Sequence, residues 1–223
     1  MLGLMRHNFP NAQVMPMAAN YPGVEGIPDV DYRVPLGSLP FVLGSRVDNI
    51  PEAQGYLKAE PEFIEKWKHV AEFGDRRVGI CWAGGKRVND KNLVAMDERR
   101  SIDFETIKPL LTVPYCTFFS LQTGLASEQI EGKNIVDLMK DVRSWSDTAG
   151  IIHHLDLVIS VDTSVLHMAA AMGKPTWLLN KYATCWRWML DRDDSPWYNS
   201  LRIFRQKDPN DWASLIAKVR GAL

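Results

Sequence analysis

A chain of 223 residues, 46% hydrophobic and 24% charged, has room for one α/β domain with an extension or for two small domains, and enough apolar residues for a sizeable core. Its formal net charge of −1 excludes a global field that would draw it to nucleic acid or acidic membranes. No apolar run approaches the ~20 residues that cross a bilayer, and the first ten residues, interrupted by Arg6 and His7, are too weakly apolar for a signal peptide.

Residues 1–57 read as an irregular arm. Pro22, Pro28, Pro35, Pro40 and Pro51, with Gly23, Gly26, Gly37 and Gly44, leave room for one short helix at 39–44. From residue 58 onward the pattern becomes regular. Residues 60–73 place Phe63, Ile64, Trp67, Val70 and Ala71 at helical spacing. Residues 77–82 form an apolar strand that enters a glycine turn at Ala83-Gly84-Gly85. A helix is expected over 103–111, with Asp103 at its start and Pro114 beyond its end. Strands follow at 117–121 and 134–138, then a helix at 147–155, a strand at 157–161 and a helix at 164–172 that Gly173 stops. Strands at 175–179 and 201–204, a helix at 185–190 between them, and a closing helix at 212–223 complete the pattern. Lys86-Arg87 and Arg99-Arg100 read as short solvated loops.

Continuous apolar strands alternating with helices predict an α/β fold, a Rossmann-like parallel sheet with helices on both faces. Such sheets bind ligands beyond the carboxyl ends of their strands, which directs attention to the loops after Trp82, Leu121, Leu138 and Val161. Cys81, Cys116 and Cys185 show neither paired nor metal-ligand spacing, and point to a reducing, cytoplasmic setting.

The strongest local signal is the passage from strand 157–161 into Asp162-Thr163-Ser164, three residue types that favour a helix N-cap. A helix start offers unpaired N–H donors and partial positive charge, which suit phosphate. His167 follows Thr163 by four and Ser164 by three, on the same side of the helix, where it could donate to a phosphate oxygen or a leaving group. A plain capped helix with one satisfied histidine is the competing interpretation.

This stretch, VISVDTSVLHMAAAMGKPTWLL, resembles the ADP-heptose:lipopolysaccharide heptosyltransferases and related transferases associated with tetratricopeptide repeats. VGICWAGGKRVND, RRSIDFETIKPLL, FFSLQTG, WSDTAGIIHHLDLVIS and WRWMLDRDDSPWY resemble the latter group in the same order, so the likeness runs through 77–223 and, more weakly, 34–76. It implies the C-terminal, donor-binding half of a GT-B glycosyltransferase whose donor is a nucleotide-diphosphate sugar. By position it implies Asp162, Thr163, Ser164 and His167 around the diphosphate, Gly84, Gly85 and Lys86 in the glycine turn, Gln122 and Gly124 near the nucleoside, and Asp147 at a helix start bordering the cleft.

Other motifs fail. The Gly79 to Gly84 spacing lacks a G-K-[ST] ending, and no G-x-G-x-x-G follows the first strand. Asp191-Arg192-Asp193 has the D-x-D pattern of metal-dependent transferases but follows a helix, and the resemblance is to metal-independent enzymes, so no metal or other cofactor is expected. Trp186, Trp188, Trp197 and Tyr198 could stack on a sugar or base, or simply pack.

An irregular arm has no room for an acceptor domain, so an acceptor glycan, lipid-linked sugar or protein is expected to meet the donor through self-association or a second chain. A non-catalytic nucleotide-sugar-binding module and a sugar-nucleotide epimerase are the alternatives. No residue stands out as catalytic base; His167 is the candidate for leaving-group stabilisation.

Overall fold

A computed structural model describes residues 1–15, 30–51, 55–85, 91–130, 132 and 134–223. In the arm, α1 (Leu2–Asn8) was not anticipated from the sequence, while α2 (Leu39–Val42) falls where one short helix was expected. Leu4 of α1 is fully buried. Asn8 ties this start to the regular part, donating to the Lys58 carbonyl at 2.9 Å and accepting the Lys58 N–H at 2.7 Å.

The 60–73 segment is not one helix. It divides into α3 (Pro61–Lys66) and a 3-10 turn (Lys68–Glu72), with Trp67 at the break. Trp67 is buried and its indole N–H reaches Asp147 Oδ1 at 3.1 Å, so tertiary anchoring overrides the helical period there.

The sheet follows: β1 (Arg76–Cys81), β2 (Cys116–Ser120), β3 (Val136–Asp137), β4 (Leu157–Val161), β5 (Thr176–Asn180) and β6 (Leu201–Arg205). All pairings between these strands are parallel, in the order β3-β2-β1-β4-β5-β6. The chain builds outward from β1 to β3, then returns to place β4 beside β1, so the order reverses between those two strands. This is the doubly wound arrangement, whose crevice lies at the reversal.

Side chains alternate between two cores, as the strand period of two requires. Val78, Ile80, Leu157, Ile159 and Val161 face one side, with Phe104 and Leu215. Cys81, Phe119 and Val158 face the other, with Ile151, Ile152 and Ala169. Gly79 keeps β1 close to its neighbours: a Cβ there would lie 2.6 Å from Leu155 Cδ1 and 2.7 Å from Leu121 Cδ1.

Five further helices follow among the described residues: α4 (Lys91–Arg100), α5 (Phe104–Ile107), α6 (Trp145–His154), α7 (Ser164–Ala171) and α8 (Trp212–Arg220). The helix expected over 103–111 is shorter, α5 passing into a 3-10 turn at Lys108–Thr112 because Pro109 has no N–H to continue it. Asp103 caps α5, accepting the Thr106 N–H at 3.0 Å. Arg99-Arg100 is a correction: these residues end α4 rather than forming a loop. The expected helix at 185–190 is only a 3-10 turn, Trp186–Trp188, followed by Met189 at φ +52°. Among the described residues, no helix is long and apolar enough to cross a membrane.

Candidate functional site

At the β1–β4 reversal the carboxyl ends enclose a cavity of about 180 Å³, lined by Gly84, Gly85, Arg100, Gln122, Thr163 and Ser164 among others. Each wall has a local cause. Gln122 is buried, accepting the N–H groups of Trp82 (3.1 Å) and Ala83 (2.8 Å) and donating to the Ala83 and Thr123 carbonyls (3.0 and 2.9 Å). Its amide thus braces the glycine turn against the β2 loop. The Gly84 N–H donates to Ser101 Oγ at 3.1 Å, fixing the turn to the end of α4.

Thr163 is the N-cap of α7 but does not cap it. Its hydroxyl pairs with Ser160 Oγ at 2.9 Å, and among the described residues no side chain bonds the first-turn N–H groups. Those donors remain open at the cavity, with the positive end of the helix dipole. Ser164 is exposed at the mouth.

Arg100 supplies the cation. Its Nη1 donates to the Asp162 carbonyl at 3.0 Å, and Nη2 pairs with Asp97 Oδ1 at 2.7 Å. Its Nε is buried without a hydrogen-bond partner among the described residues. Read from the sequence as part of a short solvated loop, Arg100 was given no role, because nothing beside it marks one of two adjacent arginines as turning inward. The available signal was its position just before the Asp103 cap, within RRSIDFETIKPLL.

Asp162 and His167 stand one layer behind the cavity wall. His167 stacks on Trp188 with ring centroids 5.4 Å apart and planes 20° apart. Its Nε2 lies 3.4 Å from Asp162 Oδ1 and its Nδ1 3.0 Å from the Tyr198 hydroxyl. Burial, with Tyr56 beside it, pushes that hydroxyl's pKa well up, so it stays protonated. Trp188 Nε1 donates to Asp162 Oδ2 at 3.0 Å. Burial opposes the charge on Asp162, yet the hydrogen bonds from His167 and Trp188, and Arg187 nearby, hold its carboxyl below the usual range.

Asp147 serves α6. It is buried and forms a capping box with Ser144: the Ser144 N–H donates to Oδ2 at 3.0 Å, and the Asp147 N–H to Ser144 Oγ at 3.2 Å. Lys66 Nζ lies 2.5 Å from Oδ1. The α6 start nevertheless borders the cleft through Trp145 and Thr148, which line a 300 Å³ groove with Thr123 and Val165. Gly124, at φ +72°, lines a further groove of about 590 Å³ over β2 and β3, shared with Gln122, Thr123, Asp137 and Met139. Lys86 lies outside the described residues.

The structure therefore brings Gly84, Gly85, Gln122, Thr163 and Ser164 to one cavity, with Gly124 in the adjoining groove. Asp162 and His167 lie behind it, and Asp147 is held within the fold. In the D-x-D segment, Arg192 pairs with Asp194, Nε lying 2.6 Å from Oδ1. Among the described residues, no group of three or more His, Cys, Asp or Glu is placed to hold a metal ion.

Three likenesses to known proteins bear on this doubly wound sheet and its crevice. Residues 144–210 match Glycosyltransferase family 9 (heptosyltransferase). The chain is 27% identical over 215 residues to Protein FlbA of Caulobacter vibrioides (strain ATCC 19089 / CIP 103742 / CB 15), covering 91% of this chain and 34% of that protein. It thus spans about a third of the curated relative it matches. In fold it is similar to the crystal structure of the glycosyl transferase family 9 from Veillonella parvula DSM 2008, with a TM-score of 0.50 at 11% identity, over 69% of this chain and 43% of that one. The Rossmann-like α/β fold expected from the sequence is borne out.

Proposed function

We propose that this domain is the donor-binding half of a glycosyltransferase and holds the diphosphate of a nucleotide sugar in the β1–β4 crevice. One convergence supports this reading best: Arg100, the glycine turn and the uncapped start of α7 meet on a single cavity at the strand-order reversal. A diphosphate there would take helix N–H groups on one side and a guanidinium on the other, a charge-assisted pairing. The adjoining groove beside Thr123, Gly124 and Met139 has room for the nucleoside.

Transfer would be a displacement at the anomeric carbon. The bond from that carbon to the β-phosphate oxygen breaks, a bond to an acceptor hydroxyl oxygen forms, the hydroxyl proton passes to a base, and nucleoside diphosphate leaves. Negative charge grows on the leaving phosphate, where the α7 start and Arg100 would stabilise it as preorganised dipole and charge. In this reading no divalent ion is required. Asp162 and His167 act from behind, setting the loop from which α7 begins. The acceptor, a glycan, lipid-linked sugar or protein, would be presented by a second module or chain, and the setting would be cytoplasmic.

The test pairs titration of the protein with nucleoside diphosphates against an assay for transfer and for donor hydrolysis. Saturable binding that is weakened about ten- to a hundredfold in Arg100→Ala supports the reading. Equal binding by wild type and variant contradicts it.

A further inference from the structure

Beyond the diphosphate cavity, on the opposite flank from the nucleoside groove, the loop after β5 carries an aromatic and cationic platform that the donor reading leaves unused. Trp188 is buried and anchored to Asp162 through its indole N–H, while Trp186, two residues earlier, is 67% exposed. Trp197 meets Trp186 edge-on, centroids 5.9 Å and planes 87° apart, and its Nε1 donates to the Arg187 carbonyl at 3.1 Å. The Arg187 guanidinium lies 5.4 Å from the Trp186 ring centroid, and its Nε is buried without a hydrogen-bond partner among the described residues. Trp186 and Arg187 are thus held in place by the same loop that grips the residue before the α7 start.

The strand order gives this platform its meaning. Along the carboxyl edge the nucleoside-sized groove lies over β3 and β2, the cavity with Arg100 lies between β1 and β4, and the Trp186–Arg187 platform follows β5. A nucleotide sugar is linear in the same sense: base, diphosphate, glycosyl group. We propose that Trp186 and Arg187 form the glycosyl subsite, an inference that rests on the donor reading above and extends it. The exposed indole surface suits the C–H face of a sugar ring, and the guanidinium suits its hydroxyls.

The experiment compares calorimetric binding of UDP, ADP and GDP with that of UDP-glucose, ADP-glucose and GDP-mannose, using wild type, Trp186→Ala, Trp186→Phe and Arg187→Gln. Thermal unfolding monitors the fold. For the conjugate that wild type binds most tightly, Trp186→Ala and Arg187→Gln are expected to weaken binding about tenfold, leaving the free diphosphate within about twofold, and Trp186→Phe to recover most of the loss. Equal weakening of diphosphate and conjugate, or no weakening of either, would overturn the subsite while leaving the donor reading intact. Failure of wild type to bind any of the six compounds would overturn the donor reading itself, and the subsite with it.

Discussion

The guanidinium of Arg100 fills the space that a side chain at Gly84 would need. A Cβ built on Gly84 would lie 2.5 Å from both Nε and Nη2 of Arg100. The glycine turn and the cation are therefore one device, because the close approach that lets the turn line the cavity also sets the position of the charge. Gly84→Ala is expected to push Arg100 off the Asp162 carbonyl. Nucleoside diphosphate affinity should fall about tenfold, and Arg100→Ala should cost about ten- to a hundredfold, the worth of a hydrogen bond to a charged group. Titration calorimetry of both variants checks this, and an unchanged affinity in Gly84→Ala would separate the turn from the site.

His167 has both ring nitrogens engaged inside the protein, so its removal should be felt first in stability. His167→Ala removes one partner of the Tyr198 hydroxyl, which keeps Tyr56, and one partner of Asp162, at a cost of about 1–3 kcal/mol. Urea denaturation should register that loss, with diphosphate affinity weakened as the Asp162 loop loosens. Unchanged stability with sharply reduced affinity would instead mean that the imidazole itself touches phosphate.

Acid stability follows from three carboxylates. Asp147 is held below its usual pKa against the opposing effect of burial, mainly by Lys66 and the Arg143 N–H. Asp156 is held down mainly by Arg77, and Asp162 by His167 and Trp188 against burial. A carboxyl depressed in the folded state contributes stability that is complete above its unfolded pKa of about 3.9 and disappears as pH falls through the folded value. Unfolding free energy carried by these groups should be level from pH 6 to 8 and fall below about pH 4. Asp147→Asn should shallow that acid limb and cost about 0.5–2 kcal/mol at neutral pH through the lost cap. Denaturation curves across pH check both parts.

The chemistry read directly from residue types was the most legible part. β4 falls where the sequence put it, at 157–161, because five consecutive apolar or small residues buried on both faces admit few other structures. The Asp103 cap was also legible, being a local hydrogen-bonding choice, and α7 starts where Asp162-Thr163-Ser164 put it although Thr163 forms no side-chain cap. What depends on distant partners was not. Nothing within 60–73 says that Trp67 will turn inward to Asp147 and break the helix. Nothing local to Arg99-Arg100 says that one of the two will reach across to the Asp162 carbonyl, 62 residues away. Likewise His167 at helical spacing from Ser164 suggested a phosphate contact, but Trp188 and Tyr198, from the loop after β5, supply its partners.

Donor binding is expected to need no divalent ion, since the proposed diphosphate site draws its positive charge from Arg100 and the α7 start. Diphosphate affinity should be the same in EDTA as in millimolar Mg²⁺ or Mn²⁺. A tenfold loss in chelator, about 1.4 kcal/mol, would return attention to Asp191, Asp193 and Asp194.

The most direct test of the central claim is amide chemical-shift mapping of the isotopically labelled protein during titration with UDP, ADP and GDP. Binding in the β1–β4 crevice predicts the largest shifts at Gly84, Gly85, Ser164 and Val165, with the Arg100 Nε–H signal moving alongside them and a second set at Thr123 and Gly124. Shifts centred elsewhere, or none with any of the three, would contradict it.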